Sequence, residues 1–254
     1  MDASFTDTLA LRFEADRGDR PGLGDRRVDT PLVAAEDSFM SPVVAPMTPF
    51  SSHSRRSRIL FAALELFSEK TFGGTAIPSI AERADVAVGT IYRYFPNKES
   101  LGEAVFVAGK QALIRAVLTD EVREAPPEQA LRHIWHALVA FATDHPALFA
   151  FMEFQMHAGY LGAEAAAVLR ELHSGLVAVI SAAQHAGVVR EGDPLMLISM
   201  VFGSFVGATK YAATLGLPLT DLDLPTMERA AFALLGVPAG GTSGSPAAQS
   251  SESD

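Results

Sequence analysis

Thr75-Ala-Ile-Pro-Ser-Ile-Ala-Glu-Arg-Ala-Asp-Val-Ala-Val-Gly-Thr-Ile-Tyr-Arg-Tyr-Phe-Pro-Asn-Lys-Glu-Ser-Leu101 is the stretch whose reading decides the fold. Its apolar residues fall into two short helical groups separated by a turn. Ile77, Ile80, Ala81 and Ala84 lie on one side of the first, where Pro78 is tolerated in the opening turn and Thr75 stands as a cap or near-cap. Val88, Ile91, Tyr92 and Phe95 mark the second, which Pro96 ends. Asp85 opens the tight turn between them.

A third helix braces the pair. Ile59, Leu60, Ala63, Leu66 and Phe67 recur with helical spacing, and Gly73-Gly74 stops that run. Ile80, Ala81, Val86, Ile91 and Phe95 then close a small core against Leu60, Leu66 and Phe67, leaving Thr90, Arg93, Tyr94 and Lys98 facing outward. Two short helices joined by a three- or four-residue turn form a helix-turn-helix, spanning about residues 77–96. Pattern alone also admits a small helical hairpin with a solvated charged face.

Charge separates the functional classes. The chain carries a net −10, which by itself argues against a polyanion partner. By segment, the net charge is −4 over residues 1–54, +2 over 55–100 and −8 over 101–254. The one positive segment is the one with the helix-turn-helix pattern, and such asymmetry points to a local polyanion-binding module. Cysteine is absent, which excludes a disulfide framework, thiolate-bound zinc or iron–sulfur clusters, and a thiol nucleophile. With no apolar leader in the first thirty residues, a cytoplasmic location is expected.

The rest of the chain reads as helix without a convincing strand. A fourth helix is expected from Lys98 to about Val122 and a fifth from Pro126-Pro127 to Asp144. The next four are placed at about 147–159, 162–186, from Asp193-Pro194 to Leu215-Gly216, and 225–235. The expectation is an all-α protein of about nine helices. Residues 1–53 and 238–254, rich in Gly, Ser, Pro and Asp or Ala, are read as disordered ends, with Met40 or Met47 as alternative starts to Met1. The longest apolar run, Leu195 to Thr209, falls short of the roughly 20 residues a membrane span needs and is read as a buried helix, with no membrane partner.

The motif resembles the signature of TetR-type transcriptional regulators, most specifically in Gly89-Thr-Ile-Tyr-Arg-Tyr-Phe-Pro-Asn-Lys98, and the likeness covers about 45 residues of the chain. It implies a DNA-binding head over 54–114 and an effector-binding and dimerisation domain over 115–237. By that resemblance Lys98 contacts phosphate, with Tyr92 and Tyr94 also on the DNA backbone. Thr90, Arg93 and Tyr94 reach base edges, Val88 touches a thymine methyl, and Thr75 belongs to the same DNA-binding set. Arg93 suits bidentate contact with guanine. Three departures stand out: Asp85 stands where a glycine is common in the turn, and adopts the left-handed backbone at small cost; Ala87 replaces the usual hydroxyl cap of the recognition helix; and Val88 and Pro78 replace polar residues. Together with the negative total charge, the last two leave open a helical small-molecule carrier that no longer reads DNA.

Trp135, Phe141, Phe149, Phe151, Met152, Phe154 and Met156 concentrate aromatic and methionine side chains in the fifth and sixth expected helices. The resemblance places an effector cavity there, and Trp135, His136, Phe151, Phe154, Gln155, His157 and Tyr160 are its expected lining, around a small, mostly apolar effector. Gly203-x-x-x-Gly207, with Ala231 and Leu234 further on, permits close helix approach and is assigned to the interface of a homodimer. No cofactor is expected. His133-x-x-His136 lacks a carboxylate partner at metal-ligand spacing, no nucleophile elbow is present, and the chain is therefore read as a non-enzyme. The expected function is a homodimeric regulator, a repressor, that binds a palindromic double-stranded DNA operator and is released by its effector.

Overall fold

The computed structural model describes Phe50 and residues 54–155 and 159–237, and the disordered ends and alternative starts expected from sequence lie outside these residues, apart from Phe50. Among the described residues there is no strand. Ten α-helices follow in order: α1 (Arg55–Lys70), α2 (Ile77–Arg83), α3 (Val88–Tyr94), α4 (Lys98–Val117), α5 (Asp120–Glu124), α6 (Pro127–Asp144), α7 (Pro146–Phe154), α8 (Ala163–His185), α9 (Pro194–Thr214) and α10 (Leu224–Leu235). A single 3₁₀ turn, Leu219–Asp221, precedes α10.

The tenth helix arises because the fourth is shorter than periodicity implies. Leu118 leaves the helical region, and the Thr119 hydroxyl accepts a hydrogen bond from the Val122 amide, which starts α5 as a separate turn. Periodicity survives such a break, because Val117 and Val122 are both buried.

Side-chain caps fix the starts of four other helices. Ser54 Oγ accepts from Ser57 N at the start of α1. Asn97 and Ser100 form a reciprocal capping box at the start of α4, with Ser100 N donating to Asn97 Oδ1 at 2.7 Å. Asp193 and Asp223 cap α9 and α10 through the amides of Met196 and Thr226. Each is a side-chain acceptor for one of the amides that a helix start leaves unsatisfied.

Helices α1 to α3 pack on one another and α1 also on α4, around Ile59, Phe67, Ile80, Ile91 and Leu101, all fully buried. Helix α4 continues into the bundle, where α6 and α8 flank it and α9 and α10 complete the far side. Helix α7 lies against α1, α4 and α6. Phe151 of α7 stacks on Phe67 of α1 at 5.6 Å, so the aromatic-rich helix joins the head to the bundle.

Helices α8 and α9 are long and apolar enough to cross a membrane by length and composition, so the apolar run read from sequence understated α9. Both pack on the bundle along one side. On α9 the other side carries a stripe at helical spacing, Met196, Met200, Gly203, Gly207 and Tyr211, all exposed.

Candidate nucleic-acid interface and effector cavity

The turn between α2 and α3 shows why the head holds its shape. Ala84 ends α2, Asp85 takes φ 51°, and Val86 N returns to Ala81 O at 3.0 Å. That is the Schellman closure of a helix C-terminus, with Asp in the place that glycine usually fills. The expectation that Asp85 supports a left-handed turn is met. The Arg83 guanidinium reaches back across α1, to Glu69 at 3.1 Å and Glu65 at 3.3 Å, and locks α2 against it. Its hydrogen bond holds the Glu69 carboxyl below its ordinary value of 4.5.

With α3 held by fully buried Ile91 and by Phe95, its remaining side chains point outward. Val88, Tyr92 and Tyr94 are exposed large side chains, Arg93 and Gly89 are exposed, and Thr90 is half-buried. Nothing lies within 4 Å of where a Gly89 side chain would begin, so the backbone there is open to close approach. The Ala87 cap offers no side-chain hydrogen bond, as its lack of a hydroxyl implies. Arg93 lies 5.5 Å from the Tyr94 ring and Arg56 5.4 Å from the Phe95 ring, which restrains both guanidiniums beside the same surface. Arg55, Arg56 and Arg93 are exposed and none forms an ion pair among the described residues.

Two expected DNA contacts are placed otherwise. Thr75 is buried, and its hydroxyl shares its one proton between two carbonyl acceptors, Thr71 O at 2.8 Å and Leu66 O at 3.0 Å. It bonds the end of α1 to the start of α2 and presents nothing to a duplex. A cap-forming Thr in sequence carries no sign of which carbonyl it will find. Lys98 is half-buried; its Nζ donates to Phe72 O at 3.0 Å and Thr75 O at 3.1 Å and lies 4.7 Å from the Phe72 ring. Two of its three N–H groups are thereby directed inward.

The expected effector lining is mostly displaced. Of the described members of that set, Trp135 alone lines the cavity. His136 is exposed and pairs with Glu228 at 3.3 Å. Phe151 is sealed beneath α1, Phe154 meets Phe149 edge-on, and Gln155 Nε2 donates to Phe67 O at the joint with the head. Tyr160 stacks on Phe72 at 4.2 Å, where burial pushes its hydroxyl pKa up. His157 lies outside the described residues. The reason is topological: α7 faces the head, whereas the void lies among α4, α6, α8, α9 and α10.

That void has two adjoining lobes of about 100 and 90 Å³, which share Ile134, Leu138, Leu176, Ile198 and Phe202. Trp135, Phe232 and Leu235 extend one lobe, while Lys110, Leu113 and His173 extend the other. Sequence reasoning missed Lys110, although a lone cation inside the apolar run Ala104 to Ile114 is a legible signal. Ala231, expected at an interface between subunits, is buried and forms part of this wall; Leu234 is half-buried. Gly203 and Gly207 are exposed, with open space on the side where a side chain would begin.

Comparison with known proteins follows the same division. Residues 59–105 match the family model described as bacterial regulatory proteins, tetR family, and residues 111–232 match a tetracyclin repressor-like C-terminal domain. Over 47 residues the chain is 55% identical to the HTH-type transcriptional repressor KstR of Rhodococcus jostii. That match covers 18% of this chain, and the chain spans only 22–25% of the length of the KstR repressors it matches. The HTH-type transcriptional regulator RutR of Escherichia coli K12 is 32% identical over 160 residues, covering 59% of this chain and 72% of RutR. Two solved structures share the fold. A bacterial regulatory protein in the TetR family from Rhodococcus RHA1 has TM-score 0.62 and 20% identity, covering 74% of this chain and 100% of that one. The fatty acid degradation regulator FadR of Bacillus halodurans has TM-score 0.61 and 22% identity, covering 72% and 95%. Since RutR is 32% identical over 72% of its own length, and the two family-model matches together span residues 59–232 and meet within α4, the chain belongs to the TetR family of bacterial regulatory proteins.

Proposed function

We propose that the protein is a transcriptional repressor that binds a palindromic operator as a homodimer and leaves it when an apolar effector fills the cavity. The observation that carries this reading is the outward face of α3, where Val88, Gly89, Tyr92, Arg93 and Tyr94 stand clear of a head fixed by Ile91 and Phe95. A seven-residue helix with such a face fits the major groove, where Arg93 meets a guanine edge and Val88 a thymine methyl. Arg55 and Arg56, at the start of α1, then supply phosphate contacts and salt-sensitive affinity. Lys98 and Thr75 hold the head together from within.

The stripe on α9 supports association of two copies. An exposed run of Met196, Met200 and Tyr211 interrupted by two bare glycines is poorly suited to water and well suited to a second helix at close range. Helix α4 supports the coupling. Lys98 straps its first residue to the head, and Lys110, 12 residues or about 18 Å further along, lines the cavity. A ligand that prefers one position of α4 thereby shifts the spacing of the two heads, to the extent that it binds the two states differently.

The test is a mobility shift with DNA from upstream of the gene, repeated at rising salt. Retarded complex should fall steeply with salt, and Arg93→Ala should lose about 1–3 kcal/mol of discrimination at one base position per half-site. Absence of any shift at low salt, or an Arg93→Ala protein that discriminates as before, would refute the reading in favour of a helical carrier.

A further inference from the structure

Among the described residues Lys110 is the one Lys, Arg, Asp or Glu side chain lining the apolar void, and its surroundings fix what a ligand there must offer. Only 6% of the Lys110 side chain and 10% of the Glu153 side chain are exposed, and Lys110 Nζ donates to Glu153 Oε1 at 2.6 Å. Phe106 and Phe202 hold their rings 5.4 and 5.9 Å from the same ammonium. Lys110 and Phe202 line the cavity with Leu113, Leu138 and Leu172, whereas Glu153 lies on the lining of neither lobe. His173, the other polar side chain of this lobe, is exposed at its edge.

A buried ion pair of this kind is a poor stabiliser, since apolar residues of the same volume do as well. From inside the cavity the pair presents donors only: the ammonium has three N–H groups, and Glu153 takes one. Charge decides which acceptor is matched. Glu153 already balances Lys110, so a ligand carboxylate would leave the pocket with a net negative charge in a low-dielectric setting, and an amine would face the ammonium without an acceptor. A neutral oxygen completes the donors without upsetting the balance.

We propose that the effector is an apolar molecule bearing a neutral carbonyl oxygen, a ketone or ester, and that this oxygen accepts a hydrogen bond from Lys110 Nζ. The inference rests on the effector-cavity reading given above and names the ligand class for it. Leu113, Leu138, Leu172 and Phe202 take the hydrocarbon body, and Glu153 keeps the ammonium in place and its charge compensated.

Calorimetric titration of the full-length chain with 2-nonanone, nonanoate and nonylamine tests this, since the three share one nine-carbon skeleton. Wild-type protein should bind the ketone about tenfold more tightly than either ion. Glu153→Gln, which retains an acceptor for Nζ but removes the negative charge, should reverse the order of ketone and nonanoate. The double variant Lys110→Met with Glu153→Met, which leaves no unpaired charge behind, should bind the ketone about tenfold more weakly than wild type. Equal or tighter binding of nonanoate by wild type, or undiminished ketone binding by the double variant, overturns the carbonyl assignment while leaving an effector cavity. Binding of none of the three by wild type overturns both.

Discussion

Replacing Lys98 by Met separates two roles that the same lysine plays in different accounts of this head. In the structure its ammonium donates to the carbonyls of Phe72 and Thr75 and rests over the Phe72 ring, tying the start of α4 to the loop between α1 and α2. Charge-assisted bonds of this sort contribute about 1.5–3 kcal/mol each. The site is half-buried and both carbonyls regain water once the ammonium is gone, so the pair is discounted to about 2–3 kcal/mol in all. For a folded region of this size, a loss of 1 kcal/mol lowers Tm by about 2–4 °C, so Lys98→Met should melt about 4–12 °C lower. A phosphate contact predicts something different. Each one contributes about 0.9 to the slope of log Kobs against log salt, so a dimer losing two contacts would lose nearly two units of slope. Thermal unfolding by circular dichroism and a salt titration of operator binding measure the two quantities independently. The expected outcome is a lower Tm with an almost unchanged slope, while the variant pair Arg55→Gln and Arg56→Gln shows the opposite. A Lys98→Met protein with wild-type Tm and a slope reduced by nearly two would refute the internal role.

Three further outcomes follow from the same geometry. Gly102→Ala would place a methyl 2.7 Å from Phe72 and 2.9 Å from Tyr160 ring carbons, and since these rings stack on each other it should cost about 1–3 kcal/mol in urea unfolding; a neutral result would mean that the pair yields freely. Because Arg83 holds the folded Glu69 carboxyl below 4.5, the contribution of that pair is complete above pH 4.5 and is lost as pH falls through the lowered folded-state value. The stability gap between wild type and Arg83→Gln should therefore be level near neutrality and shrink on acidification, and a gap that widens in acid would contradict the assignment. Gly207→Glu adds a charge where nothing lies within 4 Å in the single chain, so helicity should be retained while sedimentation shows monomer; an undiminished dimer would place the interface elsewhere.

How much of this was legible in sequence depends on the range of the forces involved. The helix-turn-helix, its core of Ile80, Ile91 and Phe95 against Leu60 and Phe67, and the left-handed Asp85 were all readable, because periodicity, capping and turn preference act over a few residues. The exposure of Arg93 and Tyr94 followed from the same periodicity, whereas Val88 and Tyr92, grouped by that periodicity with Ile91 and Phe95, turn outward because Ile91 and Phe95 alone fill the contact with the head. The break at Leu118 was hidden because helix and break place the same apolar residues inward.

Partners distant in the chain were settled only by the tertiary structure. Thr75 and Lys98 look like surface polar residues until the carbonyls of Leu66, Thr71 and Phe72 come within reach. The aromatic residues of α7 had the composition of a cavity wall, yet packing against α1 made them the joint with the head and left the void to α8, α9 and α10. Lys110 and Glu153, 43 positions apart, acquire their shared meaning only when α4 and α7 meet. Sequence by itself determined which faces of the helices are apolar, because that is written residue by residue. Which apolar face covers which is decided by the lowest free energy of the whole packing, and no local pattern contains it.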